Sequence, residues 1–319
     1  MPEKTTPLLS IIIVSYNTQD LTLQTVESVM ADINRSPELQ GETRVVVVDN
    51  NSQDQTIAKL EELQPKNCSL ELVTNQENLG FAQANNLALE KFPAKYYLLL
   101  NSDTMLKPGA LSQLVATMEN NPLNLTTASL DSHQGELDKL GILAATLLNP
   151  DQTLQAQGGN FPNLINLFVH MFLLDDLPLI GKLLPSTQHT GRRTNSQLYQ
   201  QHQLIQTGWV GGTAVMLRHQ LVADIGLLDP NIFMYGEDIE YCLRAKNHHW
   251  DIAIDPQAEI IHLGSASSSS AQAILGEIKG YIYIWAKHKP DWQMPLLKTI
   301  LWFGAVLRLV IFGTILKEK

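Results

Sequence analysis

The sequence predicts an α/β fold: a mostly parallel, mixed sheet with helices on both faces, extended at its C-terminus by further helices. Three observations carry this. Apolar, β-branched runs alternate with helix-periodic stretches through the first third of the chain. Each of those runs ends in a cluster of Asn, Asp and Ser. The composition, 44% hydrophobic and 17% charged over 319 residues, suits an ordinary folded core.

The elements follow in order. Residues 8–14 form an almost unbroken β-branched run, as expected of a strand buried on both faces. Ser15-Tyr16-Asn17 stops it, and Leu21, Thr25, Ser28 and Val29 mark a helical stripe. Residues 44–48 form a second strand ending at Asp49-Asn50-Asn51-Ser52, and the helical period over 56–63 closes at Pro65. A third strand over 70–74 leads to a helix over 81–91, and a fourth over 96–100 ends at Asn101-Ser102-Asp103. Strictly alternating strands and helices pair their strands in parallel through right-handed crossovers. Ligands bind such sheets beyond the carboxyl ends of the strands, where each polar cluster falls.

Charge and composition exclude several classes. A net charge of -10 argues against general affinity for nucleic acid, so a nucleotide's phosphates would need a local device such as a cation. The two cysteines, Cys68 and Cys242, lack ligand-like spacing and read as reduced, packed thiols. No secretory leader is apparent, because Glu3 and Lys4 open the chain and the run over 8–14 is short. The expected location is the cytoplasm. Neither a G-x-G-x-x-G after the first strand nor a G-x-x-x-x-G-K-[ST] occurs, so dinucleotide and P-loop chemistry are not indicated.

Several residues are candidates for chemistry. Asp49 either accepts hydrogen bonds from a base or ribose or caps a turn. Gly80 either opens a helix whose amides meet phosphate or lies in a plain loop. Asp103 stands where an oxygen ligand could hold Mg2+ or Mn2+ against a diphosphate, with Asn101 and Ser102 as weaker partners. Capping is the alternative, since Lys107-Pro108-Gly109 follows. Gly211-Gly212 suggests close approach of backbone to ligand. Glu237-Asp238 opens a helix, as dipole partners or as carboxylates that the approach Phe233-Met234-Tyr235 shields for proton abstraction. His262, at a strand end, is structural or a ligand.

Taken together and in order, these segments resemble the inverting family 2 glycosyltransferases of the GT-A fold, especially the bacterial rhamnosyltransferase-like branch. The matching pieces are residues 12–17, 47–52, 78–82, 99–104, 147–151 (Leu-Leu-Asn-Pro-Asp), 211–214, 233–238 and 262–265. The resemblance covers roughly four fifths of the chain. It implies a GT-A domain over 1–267, with a nucleotide-binding half near 8–115 and an acceptor half near 140–267. It implies that Ser15, Tyr16, Asn17, Asp49, Asn51, Asn78, Gly80, Asn86, Asn101, Ser102, Gly211 and Gly212 serve the nucleotide sugar. Asp103 matches the last acid of the family's D-x-D motif, whose first acid is Asn101 here, so the metal site has one carboxylate fewer. His262 matches a metal-coordinating histidine of some relatives, and Asp238 the base of the E-D motif, with Glu237 beside it. The implied reaction moves a hexose, rhamnose above all, from a dTDP- or UDP-linked donor to a saccharide or lipid-linked acceptor, with Mg2+ or Mn2+. A nucleotidyltransferase-like enzyme is one alternative, but it would want a basic Gly-rich loop at 15–18. The other is a catalytically silent binding subunit at the membrane, against which the presence of both Asp103 and Asp238 argues.

Outside the matched core, residues 164–184 read as a helix packed on the core or as a lid, and 123–139 as a surface insertion. The run over 299–316 is apolar but holds Arg308, which costs about 2.5–3.5 kcal/mol at a bilayer centre. Trp302, Lys298, Lys317 and Lys319 suit an interfacial helix, so residues 268–319 are expected to lie on the inner face of the plasma membrane. Spanning and self-association are the other readings.

Overall fold

The computed structural model of the chain describes residues 6–121, 139–177, 184, 187, 203–264 and 270–315. The insertion expected over 123–139 lies almost wholly outside the described residues, as do 178–183 of the expected lid and Ser265.

The first third folds as its pattern predicts. Strands β1 (Leu9–Ser15), β2 (Thr43–Asp49), β3 (Ser69–Thr74) and β4 (Tyr96–Asn101) pair in parallel in the order β3-β2-β1-β4. Helices α1 (Gln19–Arg35), α2 (Thr56–Glu61) and α3 (Gly80–Lys91) make the crossovers. Side chains alternate across a strand, so β1 sends Ile11 and Ile13 into one core layer and Ile12 into the other. Val26, Val29 and Ile33 of α1 share the first layer, and Ala84 and Ala88 of α3 share the second. Each fully buried aliphatic stabilises the fold by about 1.5–3 kcal/mol. Burial on both faces is why β1 reads as an unbroken apolar run.

The remainder mixes strand directions. After β5 (Thr104–Leu106) and α4 (Ala110–Asn120) come β6 (Leu140–Leu148), β7 (Gly158–Gly159), α5 (Leu164–Met171), β8 (Ile205–Gln206), β9 (Trp209–Val210) and β10 (Ala214–Arg218). Then follow α6 (His219–Ile225), α7 (Glu237–Asn247), β11 (Asp251–His262), α8 (Ser270–His288) and α9 (Gln293–Ile315). Strand β10 inserts antiparallel between β4 and β6. The long β11 runs parallel to β6, with register breaks, and its last residues pair antiparallel with β5. The sheet therefore curls until β5, which leaves the end of β4, closes on the end of β11. Thr104 comes into register with His262, and Asp103 is brought beside that imidazole.

The C-terminal helices join the same core. Tyr281, Ile284 and Trp285 of α8, and Leu297 and Leu301 of α9, pack with Ile239 and Cys242 of α7. Gly304 of α9 lies so close to α5 that a Cβ there would come 2.6 Å from Met171 Cβ. Arg308, 9% exposed, donates from Nη2 to His170 O at 2.9 Å. The His170 ring faces Asp175 of the next turn at 3.5 Å and Glu277 of α8 at 3.6 Å. Burial opposes charge on this imidazole, but the two carboxylates outweigh it and raise its pKa to about 9. Arg308 is thus met by protein groups, and among the described residues no helix is long and apolar enough to cross a membrane. Cys68 and Cys242 are both free, with burial pushing their thiol pKa values up.

Candidate active site

A cleft of about 360 Å3 opens where the carboxyl ends of β1 and β4 meet the start of α7. Its first wall is built from uncharged groups. Ser15 is buried at the end of β1, its Oγ 2.8 Å from Thr22 Oγ1 and 3.2 Å from Thr18 Oγ1. Thr18 Oγ1 lies 3.2 Å from Ser102 Oγ. Further along α1, Thr25 Oγ1 reaches Ser102 O at 2.9 Å and Thr104 O at 2.8 Å, and accepts from Thr104 N–H at 3.1 Å. Positions 18, 22 and 25 share a face because three or four residues make one helical turn. On its other sides the same loop is held by Asn101 N–H donating to Thr213 O (2.8 Å) and Leu263 N–H donating to Asp103 O (3.0 Å).

Asp103, 7% exposed, projects into the cleft from this loop, and His262 Nε2 lies 3.3 Å from its Oδ1. The residues fit a hard divalent cation. Two ligands that each bind one ion at about 2.0–2.2 Å and at right angles stand about 3 Å apart. The second imidazole nitrogen is engaged as metal-bound histidines usually are, with Nδ1 2.6 Å from Gln155 Oε1. Among the described residues no group of three or more His, Cys, Asp and Glu could hold an ion, so phosphate and water would complete the shell.

The remaining donor-side candidates divide into those that line the cleft and those that brace it. Tyr16 (41% exposed), Asn78, Gly80, Asn101 and Ser102 line it. Ser15, Asn17, Asp49 and Asn51 brace it from the adjoining loops. Asn17 donates its N–H to Ser52 Oγ at 2.9 Å and accepts from Gln53 N–H at 2.7 Å, while Gln53 Nε2 donates to Asn51 Oδ1 at 3.3 Å. Asp49 Oδ2 accepts from Ser52 N–H at 3.0 Å, the capping arrangement, and its Oδ1 is buried without a partner. Asn86 is not brought to the cleft. It lines a separate groove of about 770 Å3, and its amide clips Leu228 by donating to the carbonyl at 2.8 Å and accepting from the N–H at 3.0 Å.

Gly80 acts through its backbone. Its φ is +78°, and an added Cβ would come 2.3 Å from Phe233 O. That closeness lets Phe233 O accept from Phe81 N–H at 2.8 Å, while Gly80 N–H donates to Asn78 Oδ1 and Leu79 N–H to Asn50 Oδ1. These amides at the start of α3 are occupied by protein groups rather than turned toward a phosphate. Asn50, which the sequence singles out only as a member of the Asp-Asn-Asn-Ser cluster, is the hub. Buried at 2% exposure, it donates to Gly80 O at 3.1 Å and accepts from Asn75 Nδ2 at 2.8 Å.

The second wall carries charge. Tyr235 (φ 71°) and Gly236 (φ 103°) turn the chain sharply into α7, and an added Cβ at Gly236 would come 3.1 Å from Gly280 Cα of α8. Glu237 and Asp238 leave this turn side by side. Asp238 Oδ2 accepts from Gly212 N–H at 3.2 Å and Oδ1 from Ile239 N–H at 2.7 Å, and the carboxyl is half-buried at the cleft. Gly211 holds its strand end in place by donating to Gln157 O at 2.7 Å. Glu237 is buried at 6% exposure, with Oε2 unpartnered. Burial raises the proton affinity of both carboxyls, and for Glu237 the adjacent Asp238 charge adds to it.

The curled mixed sheet, with Asp103 and His262 at its open end and Glu237 and Asp238 facing them, is a GT-A fold. Residues 10–174 match the model of the family described as "Glycosyl transferase family 2", which is half of the chain, and the protein belongs to that family. Over 270 residues it is 22% identical to an N-acetylglucosaminyl-diphospho-decaprenol L-rhamnosyltransferase of Mycobacterium tuberculosis, covering 80% of this chain and 79% of that one. An uncharacterized glycosyltransferase of Haemophilus influenzae is 29% identical over 115 residues, 36% of this chain but only 34% of that relative. A putative teichuronic acid biosynthesis glycosyltransferase of Bacillus subtilis is 34% identical over 152 residues, covering 47% of this chain and 58% of that one. In fold, the chain is similar to GalNAc-T7 with UDP, GalNAc and Mn2+ (TM-score 0.59, 15% identity, 89% of this chain and 48% of that one). It is also similar to a mannosyltransferase from Pyrobaculum calidifontis in complex with GDP-Man and Mn2+ (TM-score 0.54, 14% identity, 97% and 76%).

Proposed function

We propose that the protein is an inverting glycosyltransferase of cell-surface polysaccharide synthesis. It moves rhamnose or another hexose from a dTDP- or UDP-linked donor to a saccharide or lipid-linked acceptor. The observation that carries this reading is the meeting of Asp238 with Asp103 and His262 in one cleft. The Mycobacterium tuberculosis relative, named for a lipid-linked diphosphosugar acceptor and rhamnose, supports the choice of substrates.

The chemistry follows from what each residue can do. Tyr16 offers a ring at the rim of the cleft against which a nucleobase can stack, with Asn78 and Ser102 as hydrogen-bonding neighbours. Asp103 and His262 would hold Mg2+ or Mn2+, which when bound supplies positive charge to offset the departing nucleoside diphosphate. An acceptor hydroxyl is a poor nucleophile at neutral pH, so Asp238 takes its proton as the new bond forms at the anomeric carbon. Attack opposite the leaving group in a single displacement inverts that centre. Glu237, buried behind the turn, has its own proton affinity raised by burial and by the Asp238 charge and is given no nucleophilic role.

Asp238→Asn is expected to lower transfer by at least about 100-fold while leaving donor binding intact, the scale of a lost general base. Initial rates and thermal shift with nucleotide sugar and Mn2+ check both halves, and full transfer by the variant overturns the assignment. Since Asp238 must be ionised to act and its pKa is raised, the wild-type rate should fall as pH is lowered toward the ordinary carboxylate range.

The C-terminal segment supports a membrane-facing placement at the inner leaflet. Residues 268–319 carry seven Lys and Arg against three Asp and Glu, a charge of +4, while the rest of the chain carries -14. Trp292, Trp302, Phe303 and Val310 are exposed at 66%, 62%, 52% and 59%. Co-sedimentation with anionic but not neutral vesicles is the expected outcome.

A further inference from the structure

We infer that Asn149 and Gln155 are positioning residues that fix the proton on His262 Nδ1 and turn the bare Nε2 toward a divalent cation at Asp103. The inference rests on the metal reading above. It starts from the segment Leu-Leu-Asn-Pro-Asp (147–151), which the reaction leaves without a role.

This segment leaves the end of β6 and doubles back. Asn149 N–H donates to Thr153 O and Gln155 N–H to Leu147 O, both at 2.8 Å, so Asn149 and Gln155 emerge near the end of β11. Their side chains form a relay whose polarity is fixed at its far end. The Asp151 carboxylate can only accept, and Thr153 hydrogen bonds hold its pKa below the usual range. Thr153 Oγ1 donates to Asp151 Oδ1 at 2.5 Å, so that hydroxyl is left to accept from Asn149 Nδ2 at 2.9 Å. The Asn149 amide is thereby oriented, and its Oδ1 accepts from Gln155 Nε2 at 3.0 Å. Gln155 Oε1 is what remains to face His262 Nδ1, at 2.6 Å. An amide oxygen cannot donate, so the proton of this bond belongs to the imidazole.

A neutral imidazole carries one N–H, and with that proton on Nδ1 its Nε2 presents a lone pair. Nε2 stands 3.3 Å from the Asp103 carboxylate, so two acceptors confront one another across a gap that a cation would fill. A partner behind the ring that fixes tautomer and orientation typically changes metal affinity about 10- to 100-fold.

Two measurements on the full chain test this. In metal-free protein at about pH 8.5, 15N NMR of the neutral His262 ring should show the Nδ1–H tautomer. Gln155→Leu should release it to a mixture, and an Nε2–H tautomer in the unsubstituted protein overturns the inference. With Mn2+ alone as titrant, Gln155→Leu should bind about 10- to 100-fold more weakly. Gln155→Glu, which loses the donation to Asn149 Oδ1 but keeps an acceptor oxygen on Nδ1–H, should keep the tautomer. Wild-type affinity together with an unchanged tautomer in Gln155→Leu also overturns it. If His262→Ala binds Mn2+ as tightly as the unsubstituted protein, the metal reading fails instead, and the tautomer measurement still decides the relay.

Discussion

Hydroxyls and amides hold the wall that carries Asp103, whereas buried charges hold the wall that carries Asp238. Ser15, Thr18, Thr22, Thr25 and Asn50 do not titrate, and each neutral hydrogen bond is worth about 0.5–1.5 kcal/mol net. Behind Asp238, Glu240 has no exposed surface and meets Arg244 Nε at 2.9 Å, Lys287 Nζ at 2.8 Å and His288 Nε2 at 3.0 Å. Lys287 also reaches Asp229 Oδ2 at 2.6 Å. This network ties the first turn of α7 to α8. The loop of one wall is therefore braced by groups that do not titrate, and the start of α7 in the other by groups that are charged.

Glu240→Gln gives the sharpest break in that contrast. Burial alone would raise the Glu240 pKa, but Lys287 and Arg244 outweigh it and leave it lowered. Breaking a buried ion pair costs about 3–5 kcal/mol, and the low end applies here because Lys287 keeps Asp229 and Arg244 keeps the Ile225 and Leu227 carbonyls. A carboxylate with a lowered folded-state pKa stabilises the fold above its unfolded pKa, and that contribution is lost as pH falls. Urea unfolding should therefore show the full loss near neutrality and a shrinking one below about pH 4.5.

Thr25→Val is the matching test on the neutral wall. It strips one hydroxyl from two carbonyls and one amide of the 102–104 loop, costing about 1–3 kcal/mol for the groups left unsatisfied. The loss should be equal at pH 5 and pH 8, and Mn2+ or donor binding should weaken because Asp103 sits on that loop. A pH dependence like that of Glu240→Gln would erase the distinction between the walls.

Legibility in the sequence follows the same division. The strands of the parallel half announce themselves because residues such as Ile11, Ile12 and Ile13 are buried on alternate faces without interruption. Asp103 was legible because a polar residue ends such a strand, and Asp238 because its motif stands in order with others. Their geometric partners were not. Thr25 reads as one member of a helical stripe, and no local pattern says that its hydroxyl meets residues 102 and 104. Gln155 lies 107 positions from His262, and their contact depends on the curl that closes β5 on β11. Asn86 shows the opposite case. Expected to serve the nucleotide sugar, it lies outside the motif segments, and its amide is spent on the Leu228 backbone. Arg308, a penalty when the C-terminal run is read alone, becomes a packed partner of His170 once α5 lies against α9.

That seam sets the smallest expected effect. His170 is a cation in the folded state because Asp175 and Glu277 flank it, and its pKa rises from 6.5 to about 9. A histidine raised on folding contributes stability that is fully present below its unfolded pKa and is lost as pH climbs through the folded one. The window therefore runs from about 6.5 to about 9. Glu277→Gln removes one of the two flanking charges and leaves Asp175, so about 1 kcal/mol should be lost at the acid end of the window. Thermal unfolding across the window should show the variant and the unsubstituted protein converging as pH rises. Transfer by the variant at pH 7 should stay near normal, since the seam holds α9 to α5 and touches neither wall of the cleft. A gap that stays constant with pH would mean that His170 is neutral, and that α9 is held to α5 by packing at Gly304 and Met171 and by the Arg308 bond to the His170 carbonyl.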